Sequence, residues 1–375
     1  MHNGRHTIHT PHPPARARVY FTGRDLYENM LADIDCARQD IALEMYIFDD
    51  DAVGRRFRDA LVRQATAGRK VRLVYDALGC LHVPARFFES MRRSGVQVTA
   101  FNPIDARRLL RNWQRLDRRN HRKLLVIDEQ IAYLGGINIS ARLADWEDAH
   151  LRLEGPIVRS ARASFEKVWA GRYRFPLRRR HRPRYRFSHR SLLLDGFPAP
   201  RFSPMKRAHL HLFARARRRI RIAHAYLIPD RRMIRTLRRA IRRGVDVDVL
   251  VPAYSDVSAA DWALRHVLGR LLRAGAQVRC LKSPMMHTKA VIADDHAAIV
   301  GSANLNRTGL FRNLEIAVWT RDEHIVRPLA GRFEQLWQTA VPYTLADEQR
   351  RGYWRRLISW LAYRLQYLLP ADQSW

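Results

Sequence analysis

The segment His121-Arg122-Lys123-Leu124-Leu125-Val126-Ile127-Asp128 recurs 166 positions later as His287-Thr288-Lys289-Ala290-Val291-Ile292-Ala293-Asp294. In both copies a glycine turn ending in Asn follows at the same distance, Gly135-Gly136-Ile137-Asn138 and Gly301-Ser302-Ala303-Asn304. One His-x-Lys triplet constrains nothing, whereas two with matched flanks require an internal duplication. Upstream, Ser94-Gly95-Val96-Gln97-Val98 lines up with Ala274-Gly275-Ala276-Gln277-Val278 at an offset of 180. The offset falls to 166 at the motifs because the first copy carries extra residues between Phe101 and Asn120. A period of roughly 170 residues describes two similar halves, not a short-repeat solenoid. At 375 residues the chain is long enough for each half to bury a core.

Hydrophobic periodicity gives both halves the same order of elements. Residues 25–38 read as an amphipathic helix, 41–48 as a strand, 53–67 as a helix stopped by Gly68, and 71–75 as a strand. A helix over 84–94 then ends at Gly95 before a strand at 96–100. The second half repeats this with strands at 220–228, 245–251 and 277–281 and helices at 231–243 and 261–274. Strands alternating with helices predict an α/β fold: two pseudo-symmetric halves, each a mostly parallel sheet flanked by helices. The expected divisions are a basic mobile tail at 1–17, a first half at 18–175, an Arg-rich linker at 176–200, a second half at 201–345 and an amphipathic C-terminal segment at 346–375.

Charge bounds the partners. With 68 Lys+Arg against 36 Asp+Glu, a formal net charge of +32 calls for a polyanion, either nucleic acid or an anionic membrane surface. Cys36, Cys80 and Cys280 have no paired spacing and read as reduced core residues, not a disulfide framework. No run of 18 apolar residues occurs and no signal-peptide core opens the chain, so approach to a membrane is expected from the aqueous side. His2, His6, His9 and His12 lie among prolines and arginines in what reads as a tail, not a metal site. The run Arg178-Arg179-Arg180-His181-Arg182-Pro183-Arg184-Tyr185-Arg186 reads as an exposed linker able to meet phosphate headgroups. Near the C-terminus, Trp354, Leu357, Ile358, Leu361, Leu365, Leu368 and Leu369 recur at helical spacing among arginines, the pattern of a helix lying in a membrane interface. The competing reading of that stripe is a helix packed on the body of the protein.

In the repeated motif His121 and Lys123 share a strand face, whereas Asp128 points the other way, ~20 Å from the histidine at ~3.3 Å per residue. Asp128 and Asp294 are therefore expected to make structural bonds holding the two halves in register. A neutral imidazole can attack phosphorus while an adjacent ammonium stabilises the nonbridging oxygens. Two His–Lys pairs, His121 with Lys123 and His287 with Lys289, would supply a nucleophile and a general acid in one shared site. Asn138 and Asn304 are candidates for binding the phosphate, and Asp148 and Glu315 for holding the imidazole tautomers. No metal-ligand cluster is evident, so neither a metal nor a cofactor is expected.

The paired His-x-Lys-x4-Asp segments with their Gly-Gly-x-Asn and Gly-Ser-x-Asn turns resemble the phospholipase D superfamily. Asn120 through Asp128, Gly135 through Ser140, Arg152-Leu153-Glu154-Gly155-Pro156 and Asn313-Leu314-Glu315 are similar to its bacterial cardiolipin synthases. The resemblance covers roughly residues 20–345 and adds Asp128 and Asp294 to the motif residues counted as catalytic. It implies a phosphatidyltransferase that takes phosphatidylglycerol through a phosphatidyl-histidine intermediate, with His121 as nucleophile. It further implies that each histidine pairs with the acid downstream of it, His121 with Asp148 and His287 with Glu315. The implied setting is the cytoplasmic face of a bacterial membrane, with anionic phospholipid and not nucleic acid as partner. Ser283-Pro284-Met285-Met286 departs from the residues usual before the second histidine. Hydrolysis of lipid or nucleic acid by the same histidines is the alternative chemistry, and a non-enzymatic polyanion binder is the alternative class.

Overall fold

The computed structural model describes residues 16–103, 118–171, 187, 190–198, 202–255 and 257–365. The histidine-bearing tail through His12, the run 178–186 and the last apolar residues, Leu368 and Leu369, lie outside them. The first half runs β1 (Arg16–Tyr20), α1 (Gly23–Asp35), β2 (Asp40–Met45), α2 (Ala52–Thr66), β3 (Lys70–Asp76), α3 (Ala85–Arg93), β4 (Gln97–Phe101), β5 (Leu124–Ile127), β6 (Ile131–Gly135), β7 (His150–Glu154) and α4 (Ile157–Trp169). The second runs β8 (Ser191–Gly196), α5 (Pro204–Arg215), β9 (Arg219–His224), α6 (Arg231–Arg242), β10 (Asp246–Pro252), α7 (Ser258–Leu272), β11 (Gln277–Leu281), β12 (Lys289–Ala293), β13 (Ala297–Gly301), α8 (Arg307–Phe311), β14 (Glu315–Thr320) and α9 (Glu323–Thr339). A short strand β15 (Val341–Pro342) and helices α10 (Leu345–Arg350) and α11 (Gly352–Leu365) close the chain.

Helix ends follow local chemistry. Thr22 caps α1 through Asp25 N–H and Asp51 caps α2 through Gly54 N–H. Gly95 and Gly275, equivalent positions in the two halves, follow α3 and α7 with φ of 90° and 101°, a conformation that an added Cβ would strain.

The sheets are mixed, which corrects the mostly parallel expectation. Their orders are β1-β7-β6-β5-β2-β3-β4 and β15-β11-β10-β9-β12-β13-β14-β8. Only β2-β3-β4 and β9-β10-β11 are parallel, and these are the strands joined by crossover helices. β5 turns directly into β6, and β12 into β13, through tight turns with Asp128, Glu129, Asp294 and Asp295 at positive φ, so these neighbours are antiparallel. Two boundaries also move. Arg16 and Ala17, placed in the tail, belong to β1, and β8, placed in the linker, is a wholly buried strand beside β14.

One apolar layer is drawn from both halves. Leu124, Val126, Leu151 and Leu153 of the first sheet share a core with Ala290, Ile292, Ile316 and Val318 of the second, together with α4 and α9. Separate cores lie on the outer face of each sheet, beneath α1–α3 in one half and α5–α7 in the other. Polar ties cross the same boundary. Arg122, wholly buried, lies 3.5 Å from Glu44 and 3.7 Å from Asp195 on β8, and Arg332 on α9 pairs with buried Glu147 at 2.6 Å.

Among the described residues no helix is long and apolar enough to cross a membrane. Helix α11 buries Ser359 and Tyr363, whose hydroxyl donates to Pro229 O and whose ring meets His266 of α7. Its stripe of Trp354, Ile358, Leu361 and Leu365 stays exposed, Trp354 by 72%. The helix therefore packs on the body through Ser359 and Tyr363, with Ala362 against the same core, and turns the stripe of Trp354, Ile358, Leu361 and Leu365 outward.

Candidate active site

His121 and Lys123 precede β5, which runs antiparallel to β2, so they sit at the carboxyl ends of the parallel strands, where α/β sheets form their crevices. His287 occupies the equivalent place before β12. Isolated bridges pair Asn120 with Leu314 and Glu147 with Met286, each across the halves. His121 N–H donates to Leu314 O at 3.0 Å, and His287 N–H donates to Glu147 O at 2.7 Å. Each histidine is thus clamped to the segment that carries the opposite half's acid.

That clamp reverses the expected pairing of acids. His121 Nδ1 lies 3.0 Å from Glu315 Oε1, and His287 Nδ1 lies 2.7 Å from Asp148 Oδ2. Asp148 and Glu315 do contact the imidazoles, but each crosses to the other half. The reason is topological: β7 and β14 follow their glycine turns to the sheet-to-sheet boundary, so the acids at their starts face the neighbour's motif. Ser302, in the second glycine turn, donates its hydroxyl to Glu315 as well. Gly136 is held against Asp148, where an added Cβ would fall 2.1 Å from Oδ1.

The lysines repeat one geometry, with Lys123 Nζ donating to His121 O at 2.8 Å and Lys289 Nζ donating to His287 O. Lys289 Nζ also lies 2.9 Å from His287 Nδ1 and 3.8 Å from Asp148. Burial, then the charges of Lys123, Lys289 and His287, holds His121 well below the usual imidazole range. Burial likewise brings the Lys123 ammonium down to about 7. The two acids diverge. Burial pushes the Glu315 carboxyl up to about 8 against the pull of Lys123 and Ser302. Burial also acts to raise Asp148, but Lys289 and His287 outweigh it and hold that carboxyl below its ordinary value. A charged carboxylate therefore faces His287, whereas His121 meets a group that is mostly protonated at neutral pH.

Asp128 and Asp294 lie outside this cluster, and their expected role across the interface is incorrect. Asp128 accepts the backbone N–H groups of Arg38, Gln39 and Asp40, and Asp294 those of Arg217, Arg218 and Arg219. Each staples the loop before the first parallel strand of its own half, because a carboxylate at a tight turn can gather several donors that have no ladder partner. Asn138 uses its amide oxygen to accept Ile47 N–H at 3.1 Å, which leaves its amide hydrogens as the group available to a ligand. Asn304 is buried, and its Oδ1 has no hydrogen-bond partner among the described residues. Among the described residues no group of three or more His, Cys, Asp or Glu is placed to hold a metal ion.

Aromatic walls were missed in the sequence. Tyr46 lies 4.8 Å from the His121 ring, with Lys123 Nζ 4.9 Å above the Tyr46 ring, and Tyr226 and Trp146 lie 6.0 and 5.7 Å from His287. The signal was present, since Tyr46 and Tyr226 are separated by the same offset of 180 that aligns the upstream halves. Cys36 is exposed while Cys80 and Cys280 are buried, so only the latter two are core residues.

The family model described as cardiolipin synthase, PLD-like domain, matches residues 30–169 and 210–337. The chain belongs to this family. Each segment matched by the PLD-like family contains one His-x-Lys pair and lies within one structural half. The Major cardiolipin synthase ClsA of Bacillus subtilis (strain 168) is 30% identical over 351 residues, covering 90% of this chain and 72% of that protein. Cardiolipin synthase A of Pseudomonas aeruginosa (strain UCBPP-PA14) is 31% identical over 345 residues, covering 89% of this chain and 69% of that protein. The fold of this PLD-like chain is also that of a phosphatidylserine synthase from Haemophilus influenzae Rd KW20, with a TM-score of 0.72 at 13% identity over 96% of this chain and 94% of that one.

Proposed function

We propose that this chain is a cardiolipin synthase, transferring the phosphatidyl group of one phosphatidylglycerol to a hydroxyl of a second and releasing glycerol. The observation that carries the reading is the crossed pair of imidazoles, each with Nδ1 on an acid from the opposite half and a lysine beside it. The relatives at 30–31% identity supply the substrate class.

In the first step neutral His121, with Nδ1–H donating to the Glu315 carboxyl oxygen, attacks phosphorus through the Nε2 lone pair, forming an N–P bond while the P–O bond to glycerol breaks. His287 gives its proton to the leaving oxygen; burial and the Lys289 charge hold its imidazole below the usual range against the pull of Asp148, which makes the imidazolium a ready proton donor. In the second step His287, now neutral, takes the proton from a hydroxyl of the second phosphatidylglycerol. That oxygen attacks phosphorus, and the N–P bond breaks to release cardiolipin. Lys123, Lys289 and the amide of Asn138 stabilise charge on the nonbridging oxygens. Tyr46, Trp146 and Tyr226 wall the imidazoles and limit access of water, which would divert the intermediate to phosphatidic acid. The exposed stripe of α11 supports docking at a membrane surface, with tryptophan and tyrosine at the interface and arginines near the headgroups.

Incubation with radiolabelled phosphatidylglycerol vesicles, followed by lipid separation, tests this directly. Cardiolipin and glycerol in equal amounts are expected. Phosphatidic acid without cardiolipin would make the chain a hydrolase, and no turnover would end the catalytic reading.

A further inference from the structure

The duplication puts two equivalent places on the molecule, behind the Asp128 and Asp294 turns, and the two halves fill them differently. In the first half Arg152 on β7 bonds Asp33 on α1 at 2.7 Å and pairs with Glu154, and Tyr133 donates to the same Asp33. The place is thus closed by opposed charges. In the second half the residues at those positions are Trp319, Leu212 and Arg321, for Arg152, Asp33 and Glu154 respectively. No acid replaces Asp33, and a cavity of about 690 Å³ opens there.

Its floor is apolar and aromatic: Leu212 and Trp319 are buried, with Phe187 stacked 4.5 Å from His211 and 5.6 Å from Trp319. Its rim is cationic. Arg321 lies 5.3 Å over the Trp319 ring, and Arg215 and Arg217 line the same opening with no acidic partner among the described residues. Asp294 is the one acid lining the cavity among the described residues, and its carboxylate is already taken by three backbone N–H groups. Burial, then Arg215 and Arg321, holds His211 below its usual range, so the fields of both guanidiniums converge on this wall. The buried indole N–H of Trp319 has no hydrogen-bond partner among the described residues. Three guanidiniums over an apolar floor, in a volume typical of ligand pockets, suit a phosphate anion attached to an apolar body.

We propose that this cavity is a second, non-catalytic site that seats the phosphate of an anionic phospholipid headgroup on Arg215, Arg217 and Arg321. It lies at the far end of β12 from Lys289, roughly 16 Å along the strand, so lipid can occupy both places at once. The site goes beyond the proposed transfer reaction and does not depend on which product that reaction makes.

The test is calorimetric titration of the full chain with monomeric dihexanoylphosphatidic acid, whose phosphate carries no leaving alcohol, and separately with inorganic phosphate. Arg215→Glu/Arg321→Glu changes exposed side chains only, and its turnover of bis(p-nitrophenyl) phosphate should stay within about twofold, showing an intact fold and active site. Two equivalents of lipid per wild-type chain and one per variant chain support the site. At the second site affinity should fall on the order of tenfold or more for each guanidinium reversed. Tighter wild-type binding of lipid than of inorganic phosphate identifies a headgroup as the ligand; equal binding of the two, both lost in the variant, supports the same anion site with free phosphate as ligand. One equivalent in the wild type, or two in the variant, overturns the proposal.

Discussion

At the scale of residues, two acids of the same kind do different work because their surroundings differ. Both are buried, but at Asp148 the charges of Lys289, 3.8 Å away, and His287 outweigh burial and hold the carboxyl below its ordinary range, whereas at Glu315 burial prevails and pushes it up to about 8. The folded state therefore binds more protons at Glu315 than the unfolded chain between its ordinary 4.5 and about 8. Its contribution to stability is full below the unfolded value and is lost as pH rises through that window. Thermal melts should show wild type losing more stability than Glu315→Gln on going from pH 5 to pH 8; parallel curves would refute the shift. The sequence made the four motif residues legible, because histidine and lysine at a repeated spacing carry their chemistry on their faces. It could not show which acid meets which histidine, since nothing in linear order says that a segment folds toward the other half's motif.

At the scale of elements, the staple at the Asp128 turn is predicted to govern stability and not chemistry. Removing a carboxylate that gathers three backbone N–H groups should cost about 1–3 kcal/mol. Asp128→Ala should accordingly shift the urea midpoint downward while turnover per folded molecule stays near wild type; a loss of turnover without loss of stability would return Asp128 to the active site. The tail helix makes the complementary case. Its stripe was legible from spacing, but whether the stripe faced the body or the solvent was not, because both solutions bury one face of an amphipathic helix. Trp354→Glu/Leu361→Glu should weaken vesicle sedimentation severalfold and leave hydrolysis of a soluble diester unchanged. Equal sedimentation would remove α11 from the membrane account. Strands β1 and β8 escaped notice for separate reasons: Arg16-Ala17-Arg18-Val19-Tyr20 alternates charge with short apolar residues, and β8 follows a long arginine run.

At the scale of the molecule, the halves are joined by a common core and by buried polar ties, and the site exists only where they meet. Arg332→Ala would leave Glu147, 1% exposed, without its bidentate partner, at a cost of about 3 kcal/mol. Because Glu147 O also holds His287 N–H, turnover should fall together with the melting temperature. A normal melt would show that the halves do not depend on this contact. The duplication made two halves and one site legible, but the mixed sheets were hidden, since crossover helices advertise parallel strands while a tight turn such as that at Asp128 is short enough to pass unread.

The proposed transfer requires His121 to carry the phosphatidyl group while His287 moves protons. A phosphatidyl ester of p-nitrophenol has a leaving group that needs no proton, so His287→Ala should still be modified by it but resolve slowly. Rapid quenching followed by peptide mass spectrometry is expected to find the phosphatidyl adduct on His121 in His287→Ala and no adduct in His121→Ala. An adduct on His287 in the His121→Ala variant, or none in either, would contradict it.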